Sequence, residues 1–240
     1  MALTWHRTPV VFRVGDAPVV ESRFQLWLWR RLMARCAHVV AISQFMAQCI
    51  EPWTPKGKTV SVIRNVAPSR TGEPDPNVVD DLIRDKRSNQ GVYVGQITPR
   101  KGVPMLVEAL IAADDPHLGC WIVGGSPHSQ ELENELKAKV NGSNSRTSIQ
   151  FLGFQSDPRP YLRTADWHIA PSTYEEPMGN VVQEAKAQGT PSIVSPRGGL
   201  PETITPGRTG WILDELRPEG LIRQFHTTAQ GEEPLLETDN

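Results

Sequence analysis

The stretch Trp167–Val194, WHIAPSTYEEPMGNVVQEAKAQGTPSIV, contains one complete strand–helix–strand unit. Its two short apolar runs, Trp167–Ala170 and Ser192–Val194, enclose a helical pattern over Gly179–Gln188. Strands that alternate with helices in this way are typical of βαβ units, in which the two strands lie parallel. The stretch therefore predicts an α/β fold.

The same alternation extends over most of the 240 residues. Further apolar runs that we predict to be strands are Val10–Val14, Val39–Ile42, Val60–Ile63, Val92–Val94, Cys120–Val123, Ile149–Leu152 and Trp211–Leu213. The segment Arg64–Asn77, RNVAPSRTGEPDPN, has three prolines and no apolar period, which is typical of a linker. We predict a partial α/β domain at residues 1–65, a linker at 66–77, a nearly complete doubly wound domain at 78–215 and a C-terminal tail at 216–240.

Composition and charge exclude several classes of protein. The formal charge is -2, from Lys+Arg 25 and Asp+Glu 27, so there is no overall basic field for a nucleic acid. Cys36, Cys49 and Cys120 lack CxxC spacing, which indicates buried thiols in a reducing compartment. No apolar run approaches the roughly 18 residues of a spanning helix, and the start lacks the regions of a signal peptide. We expect a cytoplasmic protein without a nucleic-acid partner.

The first long helical pattern has an apolar face and a cationic face. The apolar face carries Leu26, Trp29, Met33 and Cys36, and the cationic face carries Trp27, Arg30, Arg31 and Arg35. One interpretation of the cationic face is peripheral contact with a membrane. The other is an ordinary docked helix whose arginine stems cover apolar surface while their charges reach water.

Ligands in open α/β sheets bind at the carboxyl ends of the strands, so the loops there are the candidates for a site. The loop Gly95–Gly102, GQITPRKG, frames Arg100 and Lys101 with glycines before a helix. Backbone N–H groups and cationic side chains at such a position can bind a phosphate. The alternative is a surface turn with two solvated cations.

The loop after Trp167–Ala170 carries two carboxylates eight residues apart. Glu176 lies in the predicted loop and Glu184 in the predicted helix, with Gly179 between them. One carboxylate can accept hydrogen bonds from sugar hydroxyls and the other from a ribose diol, while the glycine lets backbone approach an anion. The alternative is a pair of solvated surface glutamates.

Two further loops contain paired glycines. The loop Ser195–Glu202, SPRGGLPE, places its glycines before a predicted short helix, a geometry suited to a pyrophosphate. The loop Gly124–Pro127, GGSP, is a weaker signal and is equally well read as a turn.

Together these loops resemble a known family over the region Gly91–Leu213. The segment Ser172–Pro191 reproduces the Glu-x7-Glu motif of the family 4, group 1 retaining glycosyltransferases, with one more residue before Glu176 than the commonest form has. The segment Gly198–Glu202 matches the family's GG-x-PE turn, and Lys101 precedes Gly102 as in its glycine–basic loop. The resemblance implies a GT-B-like fold, with a Rossmann-like nucleotide-sugar domain preceded by a partial Rossmann-like, acceptor-side domain.

The resemblance also implies the activity and the roles of residues. It implies a hexosyltransferase that takes a nucleotide-diphosphate sugar as donor, transfers the sugar with retention to a glycan or lipid-linked acceptor, and needs no metal or cofactor. It assigns the sugar to Glu176 as the catalytic residue, the diphosphate to Lys101, and phosphate oxygens to N–H groups near Gly179 and Gly199. The donor-binding residues that it implies are Gly95, Gln96, Arg100, Lys101, Met178, Gly179, Asn180, Glu184 (to the ribose), Gly198 and Gly199.

Two departures from the family pattern change these expectations. Gln96 stands where the family usually has an arginine, so diphosphate affinity is expected to rest on Lys101 with help from Arg100. Because only residues 1–65 precede the linker, we expect half of the acceptor-side domain to be absent. An exposed sheet edge there would favour an oligomer or a complementing subunit.

A second interpretation is therefore a non-catalytic donor-binding module or a fragment of such an enzyme. A third, an epimerase or phosphorylase with the GT-B architecture, is less well supported. A phosphorylase would need a cofactor-binding lysine, and Lys186 lies in no recognisable cofactor context.

Overall fold

The structure is a computed structural model that describes residues 9–17, 20–66, 73–126 and 130–229. It divides into two units, Met1–Asn65 and Val66–Asn240, and the division falls where the predicted linker begins. The first unit contains a parallel sheet with the strand order β1-β2-β3. Its elements are β1 (Val11–Val14), α1 (Arg23–Arg35), β2 (His38–Ala41), α2 (Gln44–Ile50) and β3 (Val60–Val62).

The second unit contains a six-stranded parallel sheet with helices on both faces. Its elements are α3 (Pro76–Asp85), β4 (Asn89–Val94), α4 (Val103–Ala113), β5 (Leu118–Val123), α5 (Gln130–Asn141), β6 (Ser148–Gly153), α6 (Arg159–Thr164), β7 (Trp167–Ala170), α7 (Asn180–Ala187), β8 (Ser192–Val194), β9 (Gly210–Ile212) and α8 (Pro218–Ala229). Each run that was predicted to be a strand overlaps a strand in the described part of the chain. The predicted α/β fold class is confirmed.

The strand order of the second sheet, β6-β5-β4-β7-β8-β9, places a topological switch point between β4 and β7. From β4 the chain builds outward through β5 and β6, then returns to the other side of β4 and builds outward through β7, β8 and β9. The loops after β4 and β7 therefore diverge at this point, which is where open α/β sheets bind ligands.

Close backbone contact joins these two loops. The Thr173 N–H donates to the Arg100 carbonyl oxygen at 2.8 Å. Gly102 has a φ of +76°, and a Cβ on it would lie 1.9 Å from the Pro171 carbonyl oxygen. Only glycine combines that left-handed backbone with so close an approach, so Gly102 fixes the spacing of the two loops.

The largest core of the second unit lies between the sheet and the helices α4, α5 and α8. Trp167 on β7 stacks on Phe225 of α8, with ring centroids 5.1 Å apart, and its indole N–H donates to the Asn89 side-chain oxygen at 2.7 Å. Leu221 is also fully buried in this core. The prediction of a tail from residue 216 is therefore wrong for Pro218–Ala229, because Leu221 and Phe225 lie one turn apart on a face that packs on α4. Residues 230–240 lie outside the described residues.

Helix α1 has the predicted apolar face. Met33 and Cys36 are buried, and Trp29 packs against Phe12 with ring centroids 5.7 Å apart. The helix begins with a capping box in which the Ser22 hydroxyl accepts from the Gln25 N–H. In the described part of the chain, no helix has the length and hydropathy needed to span a membrane.

The cysteines are free thiols, as predicted. Cys36 and Cys120 are buried and Cys49 is half-buried. Burial raises the pKa of the Cys120 thiol to about 12, so this thiol is unreactive at neutral pH.

A buried histidine links β7 to β8. His168 is fully buried, and its Nδ1 lies 2.9 Å from the Ser192 hydroxyl. Its Nε2 has no hydrogen-bond partner among the described residues. Burial lowers the pKa of His168 to about 3, so the folded protein holds this ring neutral.

We expect His168 to make the second unit sensitive to mild acid. An unfolded histidine has a pKa of about 6.5, so below that pH the unfolded state binds a proton that the folded state excludes, and stability falls until about pH 3. This linkage should cost about 2 kcal/mol between pH 7 and pH 5. Urea unfolding at pH 7, 6 and 5 should show a shallower pH slope for His168→Gln than for the wild type. The exposed His117→Gln is the control, and an unchanged slope in His168→Gln would contradict the assignment.

Candidate functional site

An ion pair bridges the two sides of the switch point. Lys101 ends a short 3-10 turn after β4, and its Nζ lies 2.7 Å from Glu176 Oε1 in the loop after β7. The Ser172 hydroxyl donates to Glu176 Oε2 at 2.5 Å. Glu176 is only 8% exposed, and each of its carboxylate oxygens has a partner, Lys101 for Oε1 and Ser172 for Oε2. The structure thus brings together the two residues to which the family resemblance assigned the diphosphate and the sugar, and those roles remain predictions.

Tyr174 extends this cluster and was missed by the sequence analysis. The Arg100 guanidinium lies 5.1 Å from the centre of its ring and the Lys101 Nζ lies 5.4 Å from it. Both distances are within the range of cation–π attraction, so the Tyr174 ring attracts both cations and stabilises their position beside each other. The sequence offered one signal for Tyr174, namely that it lies between Ser172 and Glu176 in the candidate loop.

Helix α7 carries the other residues of the Glu-x7-Glu motif. Gly179 is its N-cap with a φ of +80°, and a Cβ there would lie 2.4 Å from Leu200 Cδ2. Met178 is buried and Asn180 is the exposed first residue of the helix. Glu184 lies within α7 and is partly exposed, so the prediction of one loop carboxylate and one helix carboxylate is confirmed.

The paired glycines of the loop after β8 differ from the prediction. The Gly199 N–H donates to the Glu176 carbonyl oxygen at 2.7 Å, and the Gly198 N–H donates to the Glu175 carboxylate at 2.5 Å. A Cβ on Gly198 would lie 2.1 Å from the Glu176 carbonyl oxygen. The two N–H groups are therefore used within the chain, and the glycines lead only to a 3-10 turn at Pro201–Thr203. In this structure they hold the Glu176 loop in place.

Gly95 and Gln96 line a cavity of about 540 Å³ at the ends of β4, β5 and β6. Its described lining comprises Val94, Gly95, Gln96, Val123, Gly124, Gly125, Ser126, Phe154, Gln155, Ser156 and Pro158. A volume of this size is typical of small-molecule sites. Gly124, Gly125 and Ser126 of the GGSP loop thus form part of the cavity wall, and Pro127 lies outside the described residues. The loop after β6 was not predicted to be part of a site; the signal for it in the sequence was Phe154, an aromatic residue shortly after the predicted strand Ile149–Leu152. In the structure the Phe154 side chain is 83% exposed.

Electrostatics around the cavity and the ion pair suit a polyanion that carries hydroxyl groups. The Tyr93 hydroxyl donates to the Gln96 carbonyl oxygen at 2.7 Å. Burial raises the pKa of Tyr93, so this hydroxyl remains a donor and holds the loop. Arg100 and Lys101 supply positive charge, while Glu176 supplies a fixed acceptor. Within the described ranges, no group of three His, Cys, Asp or Glu side chains is arranged to hold a metal ion.

Comparison with known proteins shows the family that the sequence matches. Residues 77–235 match the sequence model of the family described as glycosyl transferases group 1. A lipopolysaccharide core biosynthesis glycosyltransferase of Rhizobium meliloti is 35% identical over 132 residues, which are 54% of this chain and 36% of that protein. An alpha-maltose-1-phosphate synthase of Mycolicibacterium smegmatis is 29% identical over 199 residues, which are 78% of this chain and 51% of that protein.

The fold is shared with solved structures. The HepE protein of Anabaena, crystallised in complex with UDP and glucose, superposes with a TM-score of 0.76 at 22% sequence identity. The superposition covers 95% of this chain and 66% of that one, and it confirms the predicted GT-B-like fold. The chain spans about a third to a half of the length of the two curated relatives. Since the family match covers well over half of the 240 residues, the chain belongs to the group 1 family of glycosyl transferases.

Proposed function

We propose that this chain binds a nucleotide-diphosphate sugar and transfers its sugar to a glycan or lipid-linked acceptor, as a hexosyltransferase of family 4. The observation that carries the proposal is the Lys101–Glu176 ion pair at the switch point of a group 1 domain. A fixed carboxylate can hold sugar hydroxyls, and the cations beside it can hold the diphosphate.

The donor would extend from the cavity to the ion pair. The Phe154 ring and the glycine backbone of the cavity suit a nucleobase and ribose, and the HepE complex makes UDP the first nucleotide to test. Arg100 and Lys101 would neutralise the departing diphosphate, a role worth several kcal/mol in a preorganised site. For that reason we propose metal-independent transfer. Activity that is unchanged by a chelator would support it, and loss of activity would contradict it.

Retention and acceptor choice depend on the whole protein. Transfer requires the acceptor within roughly 3–3.5 Å of the anomeric carbon, an alignment that can supply about 7–11 kcal/mol. The second hypothesis, a donor-binding module, predicts that UDP binds but that no sugar is transferred. Release of UDP from UDP-glucose with glycan or lipid acceptors separates the two, and NMR of the product anomer tests retention.

We expect Glu184 to contribute more than Glu176 to affinity for the nucleotide without its sugar. Removing a charged hydrogen-bond partner of the ribose should weaken UDP binding by about 1–3 kcal/mol in Glu184→Ala. The Glu176→Ala variant should bind UDP-glucose more weakly than the wild type does, while its affinity for UDP should not fall. Calorimetric titration of both ligands with both variants measures this. Equal loss of UDP affinity in the two variants would show that the roles are wrongly assigned.

We also propose that α1 contacts an anionic lipid surface, which would place a cytoplasmic protein at a membrane. Phe24 is 68% exposed and Trp27 is 53% exposed, and their rings stack with centroids 5.9 Å apart. The Arg31 guanidinium lies 5.4 Å from the Trp27 ring, and α1 has no acidic residue. Exposed aromatics surrounded by arginines are typical of helices that lie in a lipid interface. Arg30 does not belong to this surface, because it donates to the Pro52 carbonyl oxygen.

Vesicle co-sedimentation tests this surface. The chain should bind phosphatidylserine-containing vesicles and not phosphatidylcholine vesicles. The variant Arg31→Gln/Arg35→Gln should bind about tenfold more weakly, since each charge near the surface contributes to attraction. The exposed Arg84→Gln in the second unit is the control. Absence of vesicle binding, or a dimer in solution that Trp27→Ser abolishes, would contradict the proposal.

A further inference from the structure

Glu175, the residue before Glu176, occupies a small anion-binding arrangement. Its Oε2 accepts from the Gly198 N–H at 2.5 Å, and its Oε1 accepts from the Arg197 guanidinium at 3.1 Å. Both of its carboxylate oxygens are thus bound by groups of the loop after β8. A backbone N–H beside a guanidinium is a donor set that proteins use for phosphate as well as for carboxylate.

The arrangement lies beside the ion pair at the switch point. Gly199, the neighbour of Gly198, donates to the Glu176 carbonyl oxygen, so the two loops are joined at consecutive residues. Lys101 is balanced by Glu176 and Arg197 is balanced by Glu175. Two of the cations near the switch point are therefore already neutralised by carboxylates of the chain itself. An incoming diphosphate has to compete with these carboxylates for the cations.

The two carboxylates differ in how firmly they are held. Glu176 is nearly buried, whereas the Glu175 side chain is 52% exposed and Arg197 is 47% exposed. An exposed ion pair adds little net stability because water solvates both charges well. Glu175 can therefore leave its position at low cost, and Glu176 cannot. The residue also belongs to the stretch that is one residue longer than the commonest form of the motif.

We propose that Glu175 is an internal competitor for the donor diphosphate, holding the Gly198 N–H and Arg197 until a phosphate displaces it. This inference rests on the proposed function, since it assumes that a nucleotide diphosphate binds at the same switch point. Its consequence is a lower affinity for the nucleotide than the cationic side chains alone would give. Removing the charge of Glu175 therefore increases nucleotide affinity instead of reducing it.

Calorimetric titration of the full chain with UDP tests this, using Glu175→Gln. The variant should bind UDP about fivefold more tightly than the wild type, a gain of the size expected when a competing exposed ion pair is removed. Glu108→Gln is the matched control, because Glu108 is an exposed glutamate beside Lys139 and its loss changes the net charge equally. The control should leave UDP affinity unchanged. Arg197→Gln should weaken UDP binding, since it removes the cation for which both anions compete.

The outcomes separate this inference from the proposed function. If the wild type binds UDP but Glu175→Gln binds it equally or more weakly, Glu175 is not a competitor. An equal gain in Glu108→Gln would also overturn the inference, because the effect would then be one of net charge. If neither the wild type nor any variant binds UDP, UDP-glucose or another nucleotide diphosphate, the donor site itself is refuted.

Discussion

Replacing Trp167 by alanine is expected to lower the free energy of unfolding of the second unit by about 4 kcal/mol. Trp167 is 1% exposed and stacks on Phe225, so the change leaves a cavity between β7 and α8. It also leaves the Asn89 side-chain oxygen without the indole N–H that it accepts from at 2.7 Å. The loss of packing and the loss of a buried hydrogen bond act in the same direction.

Urea unfolding followed by far-UV circular dichroism measures this effect, with the two units fitted as separate transitions because they form distinct compact bodies. The exposed Trp27→Ala in α1 is the control and should change stability by less than about 0.5 kcal/mol. A loss below about 1.5 kcal/mol in Trp167→Ala would mean that α8 does not depend on this stack for its position.

Much of the fold follows from local pattern alone. The runs that became β4 to β9 are short and apolar, and helical patterns separate most of them, an alternation that is sufficient to predict a parallel sheet. The loop position of Glu176 and the helix position of Glu184 follow from Gly179, which marks the start of the helical pattern between them. These features depend on residues close together in sequence, which is why periodicity and glycine placement reveal them.

The features that the sequence did not predict depend on contacts between distant segments. Tyr174 lies against the two cations only because Gly102 lets the loop after β4 approach the loop after β7. The contact of the Gly198 N–H with the Glu175 carboxylate was also not predicted, because the two residues are 23 positions apart. Likewise Phe154 becomes part of a cavity because β6 lies beside β5, an order that no local pattern specifies.

Replacing Lys101 by alanine is expected to affect stability and nucleotide binding separately. Without Lys101, the nearly buried Glu176 carboxylate keeps the hydrogen bond from Ser172 but loses its cation. Breaking a buried ion pair in this way should lower the free energy of unfolding by about 3 kcal/mol. UDP affinity should fall as well, by about tenfold or more, because the lost cation is one that the diphosphate would contact.

The double variant Lys101→Ala/Glu176→Ala distinguishes the two effects. It removes both charges, so its stability should be higher than the sum of the single changes predicts, with a coupling energy of roughly 1–3 kcal/mol. Its UDP affinity should remain as low as that of Lys101→Ala, since the cation is still missing. The exposed pair Lys139 and Glu108, with charged atoms 4.0 Å apart, supplies a control cycle whose coupling should be close to zero. If the double variant regained UDP affinity, Lys101 would act by neutralising the Glu176 carboxylate, which otherwise repels the diphosphate, and not by binding the diphosphate.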